Sequence, residues 1–287
     1  KKDKFFDSKI IKYKRSLMLH CGITGSKGNL GKTFLKRNKK FNYIKFQGDI
    51  SKKKDVYNWI KNNEFDLIIH FAALVPTLVV NKNYKKALNI NYNGTRNLVD
   101  AIKRKKKKIK WFFFASTSHV YPLQNKKIKE NFRVNPSSNY GKTKLYAENY
   151  IRKRFKNSNI KFCVGRIFSI FDNKDKSFFT PSLAKKIKQK SNKLVLDNLN
   201  HYRDFLTTDQ ISKIIMVLWR KKFEGIINIG SGKKTNLKQV AKNFAIKSNK
   251  KISFRYNKPS CLVADVSKLR KLGLKYKKII FQNFLIK

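Results

Sequence analysis

Tyr140 and Lys144 stand four residues apart in Tyr140-Gly141-Lys142-Thr143-Lys144, inside a segment of helical composition. Residues at that spacing share one helix face. The Lys144 ammonium can therefore favour the Tyr140 phenolate and bring a group that ordinarily titrates at about 10 into use as an acid and base. Spacing alone is not distinctive in a chain with 12 tyrosines and 69 lysines plus arginines, and Tyr57 with Lys61 repeats it. The upstream sequence separates the two. Tyr140 follows Ser116-Thr117-Ser118 at the carboxyl end of the apolar run Ile109 to Ala115, and in an open α/β sheet that end is where ligands bind. Tyr57 has no hydroxyl-bearing strand end before it.

A second stretch is built to hold phosphate. Gly22-Ile23-Thr24-Gly25-Ser26-Lys27-Gly28-Asn29-Leu30-Gly31 follows the apolar Leu17-Met18-Leu19-His20-Cys21 and precedes a helix-capable segment. Glycine removes the Cβ that would keep a pyrophosphate away from the backbone, and the following helix N-terminus offers unpaired N–H groups and partial positive charge.

The elements that must carry these groups alternate as in a parallel α/β sheet. Leu17 to Gly22, Asn42 to Gln47, Asp66 to Phe71, Ile109 to Ala115 and Ile160 to Ile167 have the pattern of buried strands. Asn29 to Arg37, Lys53 to Asn62, Tyr84 to Lys105 and Tyr140 to Lys156 have that of helices. After about Phe168 the pattern loosens around Pro181, Gly230 to Gly232 and Pro259. The expected organisation is a basic tail over 1–16, a nucleotide-binding domain over 17–167, and a smaller region over 168–287 that returns a strand or helix to the sheet.

Composition bounds the function. A chain of 287 residues with 41% hydrophobic content can bury a full core, and its net charge of +53 invites polyanions. The lysines are dispersed through nearly every segment, whereas a nucleic-acid site needs a patch. Non-specific, salt-sensitive polyanion binding is expected, with no specific nucleic-acid partner. Cys21, Cys163 and Cys261 are far apart and outside any CxxC or Cys/His pattern, so reduced thiols, a cytoplasmic location and no bound metal are expected. No run of 18 apolar residues is present, so no membrane span is expected, and Lys1 to Ser16 lacks the apolar centre of a signal peptide.

Taken in order, the motifs resemble those of the extended short-chain dehydrogenase/reductase family, in its nucleotide-sugar epimerase, reductase and dehydratase group. Gly22, Thr24, Gly25, Gly28 and Gly31 match GxTGxxGxxG, Gly48-Asp49-Ile50 matches GD(L/I), and His70-Phe71-Ala72-Ala73 matches HxAA. Asn91, Gly94, Thr95 and Asn97-Leu98 match NxxGTxNL; Thr117 to Tyr121 resembles (S/T)xxVY, and Tyr140 to Lys144 is YxxxK. Arg203-Asp204-Phe205 with Asp209, Asn228 to Gly232, and Ala264 to Lys268 follow as in the family.

The resemblance implies an α/β fold, a Rossmann-type doubly wound parallel sheet with a smaller C-terminal substrate-binding region. It implies NAD or NADP as cofactor, a nucleotide-sugar substrate and a homodimer paired through the two long helices. Tyr140 would exchange a proton with a sugar oxygen, Thr117 would hydrogen-bond that oxygen, and Lys144 would hold the nicotinamide ribose and tune Tyr140. Gly22, Thr24, Gly25, Ser26, Gly28, Asn29, Leu30, Asp49, Ile50, Phe71, Ala72, Ala73 and Asn91 would line the cofactor. Arg203 and Arg255 would pair with the substrate diphosphate, and His119 and Ser169 would face the sugar.

Departures narrow the chemistry. The interval from Gly31 to Asp49 looks too short for a second strand plus loop, so the acidic residue that binds the adenosine ribose is missing, while Lys36, Arg37, Lys39 and Lys40 could accept a 2′-phosphate. Ser118-His119 stand where 4,6-dehydratases carry Asp-Glu, which favours a 4-epimerase or 4-keto-reductase over the dehydratase alternative. His119 could also act as a second acid or base, while His70 has the setting of a packed strand-end residue. Outside this class the alternatives are a non-catalytic dinucleotide-binding sensor and a basic RNA-associated protein.

Overall fold

The computed structural model describes residues 18–75, 77–105, 109–172, 179–187, 193–197, 199–256, 258–279 and 281. The tail expected over 1–16 lies outside them. In chain order the strands are β1 (His20–Thr24), β2 (Asn42–Lys45), β3 (Leu67–His70), β4 (Trp111–Thr117), β5 (Lys161–Ile167), β6 (Ser169–Phe171), β7 (Lys193–Leu196), β8 (His201–Arg203), β9 (Phe205–Thr207), β10 (Gly225–Ile229), β11 (Thr235–Asn236), β12 (Lys251–Phe254) and β13 (Ser260–Leu262). The helices are α1 (Asn29–Arg37), α2 (Lys53–Lys61), α3 (Thr77–Lys82), α4 (Tyr84–Leu88), α5 (Gly94–Arg104), α6 (Asn139–Phe155), α7 (Phe179–Ile187), α8 (Thr208–Arg220), α9 (Leu237–Lys247) and α10 (Ser267–Lys271).

Among the described residues a 6-stranded parallel sheet runs β10-β5-β4-β3-β1-β2. Its strands are apolar on both faces, as a sheet covered on both sides requires. Alternate side chains sort cleanly. Ile23, Leu67, Ile69, Trp111 and Phe113 pack with Phe34 of α1 and with Ile211, Ile214 and Leu218 of α8. Ile68, Phe112, Phe114 and Val164 pack with Val56 of α2, Leu98 and Ile102 of α5, and Ala147 and Ile151 of α6. This is the doubly wound α/β arrangement. A third cluster, built on Phe171, Leu183, Leu196, Phe205 and Phe244, forms the core of the C-terminal elements.

Two expectations are corrected here. The second strand does fit between Gly31 and Asp49: β2 pairs in parallel with β1 at the sheet edge, and a loop of only Asn38 to Phe41 suffices to reach it. What is absent is the acidic side chain, because β2 ends in Lys45, followed by Phe46-Gln47. Tyr84 to Lys105 is not one uniform helix. A π-helical turn, Asn89–Asn93, separates α4 from α5, and it carries the buried Asn91. Local unwinding of this kind often marks a functional position.

The C-terminal elements are fastened to the sheet through Asp204, which follows β8 and is fully buried. Its carboxylate accepts from Ser231 N (2.7 Å), Ser231 Oγ (2.5 Å), Gly232 N (2.8 Å) and Ala264 N (3.1 Å). Burial raises its pKa, and the donors oppose that rise. Gly230 cannot carry a side chain there, since an added Cβ would stand 2.5 Å from the carboxylate. Asp204→Ala strands these donors in the interior and should cost about 3 kcal/mol. The check is a fall in the midpoint of urea unfolding; an unchanged midpoint would show that other groups satisfy the donors.

Candidate functional site

The glycine turn after β1 is shaped by contact. Gly25 has φ +69° and passes so close to the next strand end that a Cβ would stand 2.6 Å from Ala72 N, while a Cβ on Gly31 would stand 2.3 Å from Gly25 O. Gly28 is different. It is exposed, and the nearest atom to a Cβ there would be 3.5 Å away. Gly28 also caps α1 with no side-chain hydrogen bond and no acidic residue in the first turn. The positive end of α1 therefore meets open space flanked by Ser26, Asn29 and Leu30, a cradle that suits a pyrophosphate.

His70 fixes that turn in place. Thr95 Oγ1 gives its proton to Asn91 O (2.7 Å), so it must accept from His70 Nε2 (2.9 Å). Ala72 N donates to Thr24 Oγ1 (3.2 Å), whose own proton goes to His70 Nδ1 (2.6 Å). One proton per hydroxyl leaves only the neutral Nε2–H tautomer. Burial agrees, lowering the imidazole pKa to about 3. Thr24 and Asn91 are accordingly turned inward. The Asn91 amide accepts from Leu74 N (2.6 Å) and donates to Leu74 O (3.2 Å) and to Thr143 Oγ1 (3.0 Å), so it fastens the loop after β3 to α6. Phe71, Ala72 and Ala73 stay half-buried on that loop. Ile50 is buried against Gly94, and the exposed Asp49 carboxylate accepts from Ser51 N and Oγ.

The proton-handling groups meet where α6 starts. Ser138 caps the helix by accepting from Gly141 N at 3.1 Å. Gly141 lets it press onto the segment after β4, because a Cβ there would stand 2.2 Å from His119 O. The approach brings the half-buried Tyr140 phenol beside Thr117 at the end of β4, near enough for the threonine to favour the phenolate. Lys144, one turn on and 2% exposed, holds Nζ 4.1 Å above the Phe114 ring, with no hydrogen-bond or ion-pair partner among the described residues. Its pKa falls to about 7 through burial. Tyr140 is not tuned as its spacing from Lys144 suggests: burial dominates and raises the phenol, and Thr117 is the group that opposes it.

Across the opening stand His119 and Arg203. The His119 ring meets the Tyr140 ring edge-on at 6.0 Å between centroids, and it is exposed to the cleft. The surrounding protein and the Arg203 cation push its pKa down to about 4. Arg203, on β8, donates Nη1 to Tyr202 O (2.9 Å) and Ser260 Oγ (3.2 Å), and Ser260 also bonds His201 Nδ1 (2.6 Å). No carboxylate pairs with Arg203 among the described residues, and burial lowers its pKa to about 10. Ser169 is half-buried at the start of β6, its N–H donated to Asp204 O. Arg255 is exposed beyond β12, 3.6 Å from Asp197. Of the cations considered for a 2′-phosphate, Arg37 is held on Asp209 of α8. The described residues contain no group of three or more His, Cys, Asp or Glu side chains able to hold a metal, and all three cysteines are free and buried.

The motifs did not announce Glu148, which joins Ser116, Arg166, Tyr121 and Asn228 in one buried polar network. Glu148 accepts from Ser116 and Arg166; Tyr121 Oη accepts from Arg166 Nη1 (2.8 Å) and donates to Asn228 Oδ1 (2.8 Å). A second interval of four, from Lys144 to Glu148, was the available signal.

The family model described as GDP-mannose 4,6 dehydratase matches residues 22–278. A Methanocaldococcus jannaschii protein provisionally assigned as a UDP-glucose 4-epimerase is 27% identical over 266 residues, which cover 88% of this chain and 82% of that protein. GDP-6-deoxy-D-talose 4-dehydrogenase from Aggregatibacter actinomycetemcomitans is 26% identical over 220 residues, 73% of this chain and 74% of its own. Among solved structures, MoeE5 in complex with UDP-glucose and NAD superposes with a TM-score of 0.80 at 18% identity, covering 92% of this chain and 96% of that one. RMD from Pseudomonas aeruginosa complexed with NADPH has a TM-score of 0.80 at 20% identity, covering 93% and 97%. At these identities the two structures speak to the fold.

The His70 relay carries a pH signature. Between about 6.5 and about 3 the unfolded chain binds a proton at His70 that the folded chain refuses. Stability from this site is therefore complete above that window and falls by about 1.4 kcal/mol per unit as pH drops through it. His70→Gln should flatten that slope in urea titrations across the window; an unaltered slope would show that another group sets it.

Proposed function

The chain belongs to the extended short-chain dehydrogenase/reductase family of NAD-dependent epimerases and dehydratases, and from that membership we propose a nucleotide-sugar 4-epimerase or 4-keto-reductase using NAD or NADP. The observation that carries this reading is the meeting of Tyr140 with Thr117 at the end of β4, with Lys144, unpaired among the described residues, one turn along the same helix. The residues fit the cofactor. The open N-terminus of α1 and the side-chain-free face of Gly28 suit its pyrophosphate, and Lys144 suits a ribose hydroxyl. Bound nicotinamide would supply the acceptance and return of hydride at a sugar carbon.

Everything else falls to this chain's own side chains. Thr117 orients the sugar oxygen, and Tyr140 Oη removes its proton when the carbon is oxidised and restores it on reduction. The buried phenol holds its proton tightly on its own, so it becomes an efficient base only as the site fills and Lys144 gains partners that keep it charged. Arg203, half-buried and without a carboxylate, is placed to take a diphosphate, with His119 between it and Tyr140. The matched family model carries a dehydratase name, but eliminating water needs carboxylates that Ser118-His119 do not supply. Lys45 at the end of β2 leaves the adenosine ribose side without an acid, compatible with either cofactor. Residues 17–167 together with β10 would form the dinucleotide-binding body and most of 168–287 the substrate side. The protein would work in the cytoplasm as a homodimer; among the described residues no helix is long and apolar enough to cross a membrane.

Tyr140→Phe should lower turnover about 10²- to 10⁴-fold while NADH binding persists. The assay adds NAD(H) or NADP(H) with UDP-glucose first, then other nucleotide sugars, and follows nicotinamide absorbance and sugar product. Retained turnover in Tyr140→Phe would sink the reading. Arg203→Leu should mainly raise KM, and an unchanged KM would remove Arg203 from the diphosphate site.

A further inference from the structure

The charged cluster behind the catalytic helix is not used by the reaction just described. Glu148 lies one turn beyond Lys144 on α6, with no exposed surface. Its carboxylate accepts from Ser116 Oγ, from Arg166 Nη2 at 2.7 Å, and from Arg166 Nε at 3.1 Å. Arg166, 2% exposed, also donates Nη1 to Tyr121 Oη and stands 4.8 Å over that ring. An ion pair at this depth adds little net stability, because desolvating both charges offsets their attraction, and apolar residues could fill the space as well. The charge itself needs a use. Ser116 immediately precedes Thr117, so the carboxylate ties α6 to the strand end at the level where Tyr140 and Thr117 meet. Lys144 is the cation next along the helix, and Glu148 is the carboxylate whose field reaches it.

We propose that Glu148, clamped by Arg166 and Ser116, is a positioning residue for Lys144: its carboxylate keeps the Lys144 ammonium charged and seated above Phe114, and Arg166 limits how strongly it does so. The proposal rests on reading Thr117, Tyr140 and Lys144 as the reacting set. Among the described residues, the titratable and charged groups facing Lys144 are few. His70 on β3 is held neutral, Arg166 lies on β5, and Tyr140 and Glu148 lie on α6 itself. β4 presents the uncharged Phe114 ring beneath it. With so few competitors, removing one carboxylate has a definite sign.

The experiment titrates NADH binding to the full chain by fluorescence across pH, with the melting temperature of each variant measured alongside. Affinity should fall as Lys144 loses its proton. Glu148→Gln keeps the shape and an acceptor for Ser116 but removes the charge, so the midpoint should move about one unit toward acid. Glu148→Asp keeps the charge at a shorter reach and should stay nearer the parent midpoint. A purely structural role predicts the reverse ranking, with the isosteric glutamine milder than aspartate, and that ranking would overturn the proposal, as would an unmoved midpoint in Glu148→Gln. Should Glu148→Gln fail to fold, Glu148→Gln/Arg166→Gln removes both members of the pair, and because Glu148 is the member whose field reaches Lys144 the midpoint should still move toward acid; an unmoved midpoint there would overturn the proposal equally. Failure of the parent chain to bind NADH would overturn the reaction reading and this role with it, whereas binding with an immovable midpoint overturns the positioning role alone.

Discussion

A neutral imidazole with both nitrogens committed holds the ligand-facing edge of this protein together. His70 receives a proton from the turn after β1 and gives one to the helix after the π turn, while its own strand supplies Ala72 N to close the circuit. Three segments distant in sequence are thereby fixed with no charge and no unsatisfied group. A protonated ring could not accept from Thr24, and the other tautomer would set two protons against each other at Thr95. The glycine turn, the strand end beside it and the loop clasped by Asn91 keep their places because this one ring keeps its protonation state.

A second constraint is the scarcity of acid. With 16 aspartates and glutamates against 69 lysines and arginines, carboxylates are the limiting partner, and the structure spends several of them internally. Asp204 gathers three backbone N–H groups and a hydroxyl, Glu148 neutralises Arg166, Asp66 ties His20 to Lys110, and Asp209 joins α8 to α1 through Arg37. Surface lysines without partners are unremarkable under such a balance, since water and counterions solvate them. Arg203 is different because it is half-buried beside His119 and lacks a carboxylate. The distribution of acid therefore separates a half-buried cation, without a carboxylate partner among the described residues, from the many that merely face solvent.

Local patterns were enough for much of this molecule. The glycine turn, α1 with its limits Asn29–Arg37, the apolar strands β3 to β5 and the Tyr140 and Lys144 pair each depend on spacing within a few residues, and such spacing is visible in a sequence. The edge strand β2 was legible over Asn42 to Gln47, but the room for it and its loop was underestimated, because counting residues does not show how short a connection can be. The π turn was missed because the hydrophobic period continues through it. The bond between Glu148 and Arg166 depends on strand and helix meeting in space, and the protonation of Tyr140 depends on burial, which spacing does not report.

The outer neighbour of β5 is β10, which is formed by residues 225 to 229, well after the other five strands of the sheet. During synthesis the first five strands can assemble in sequence while β5 presents a bare row of N–H and C=O groups, the kind of edge to which another chain can add. Only after α8 and the turn following it leave the ribosome does the sheet gain its last strand. The late arrival of Gly225–Ile229 leaves β5 open until β10 has been made, so a ribosome stalled between the two would release a fragment with an open sheet edge rather than a smaller working domain.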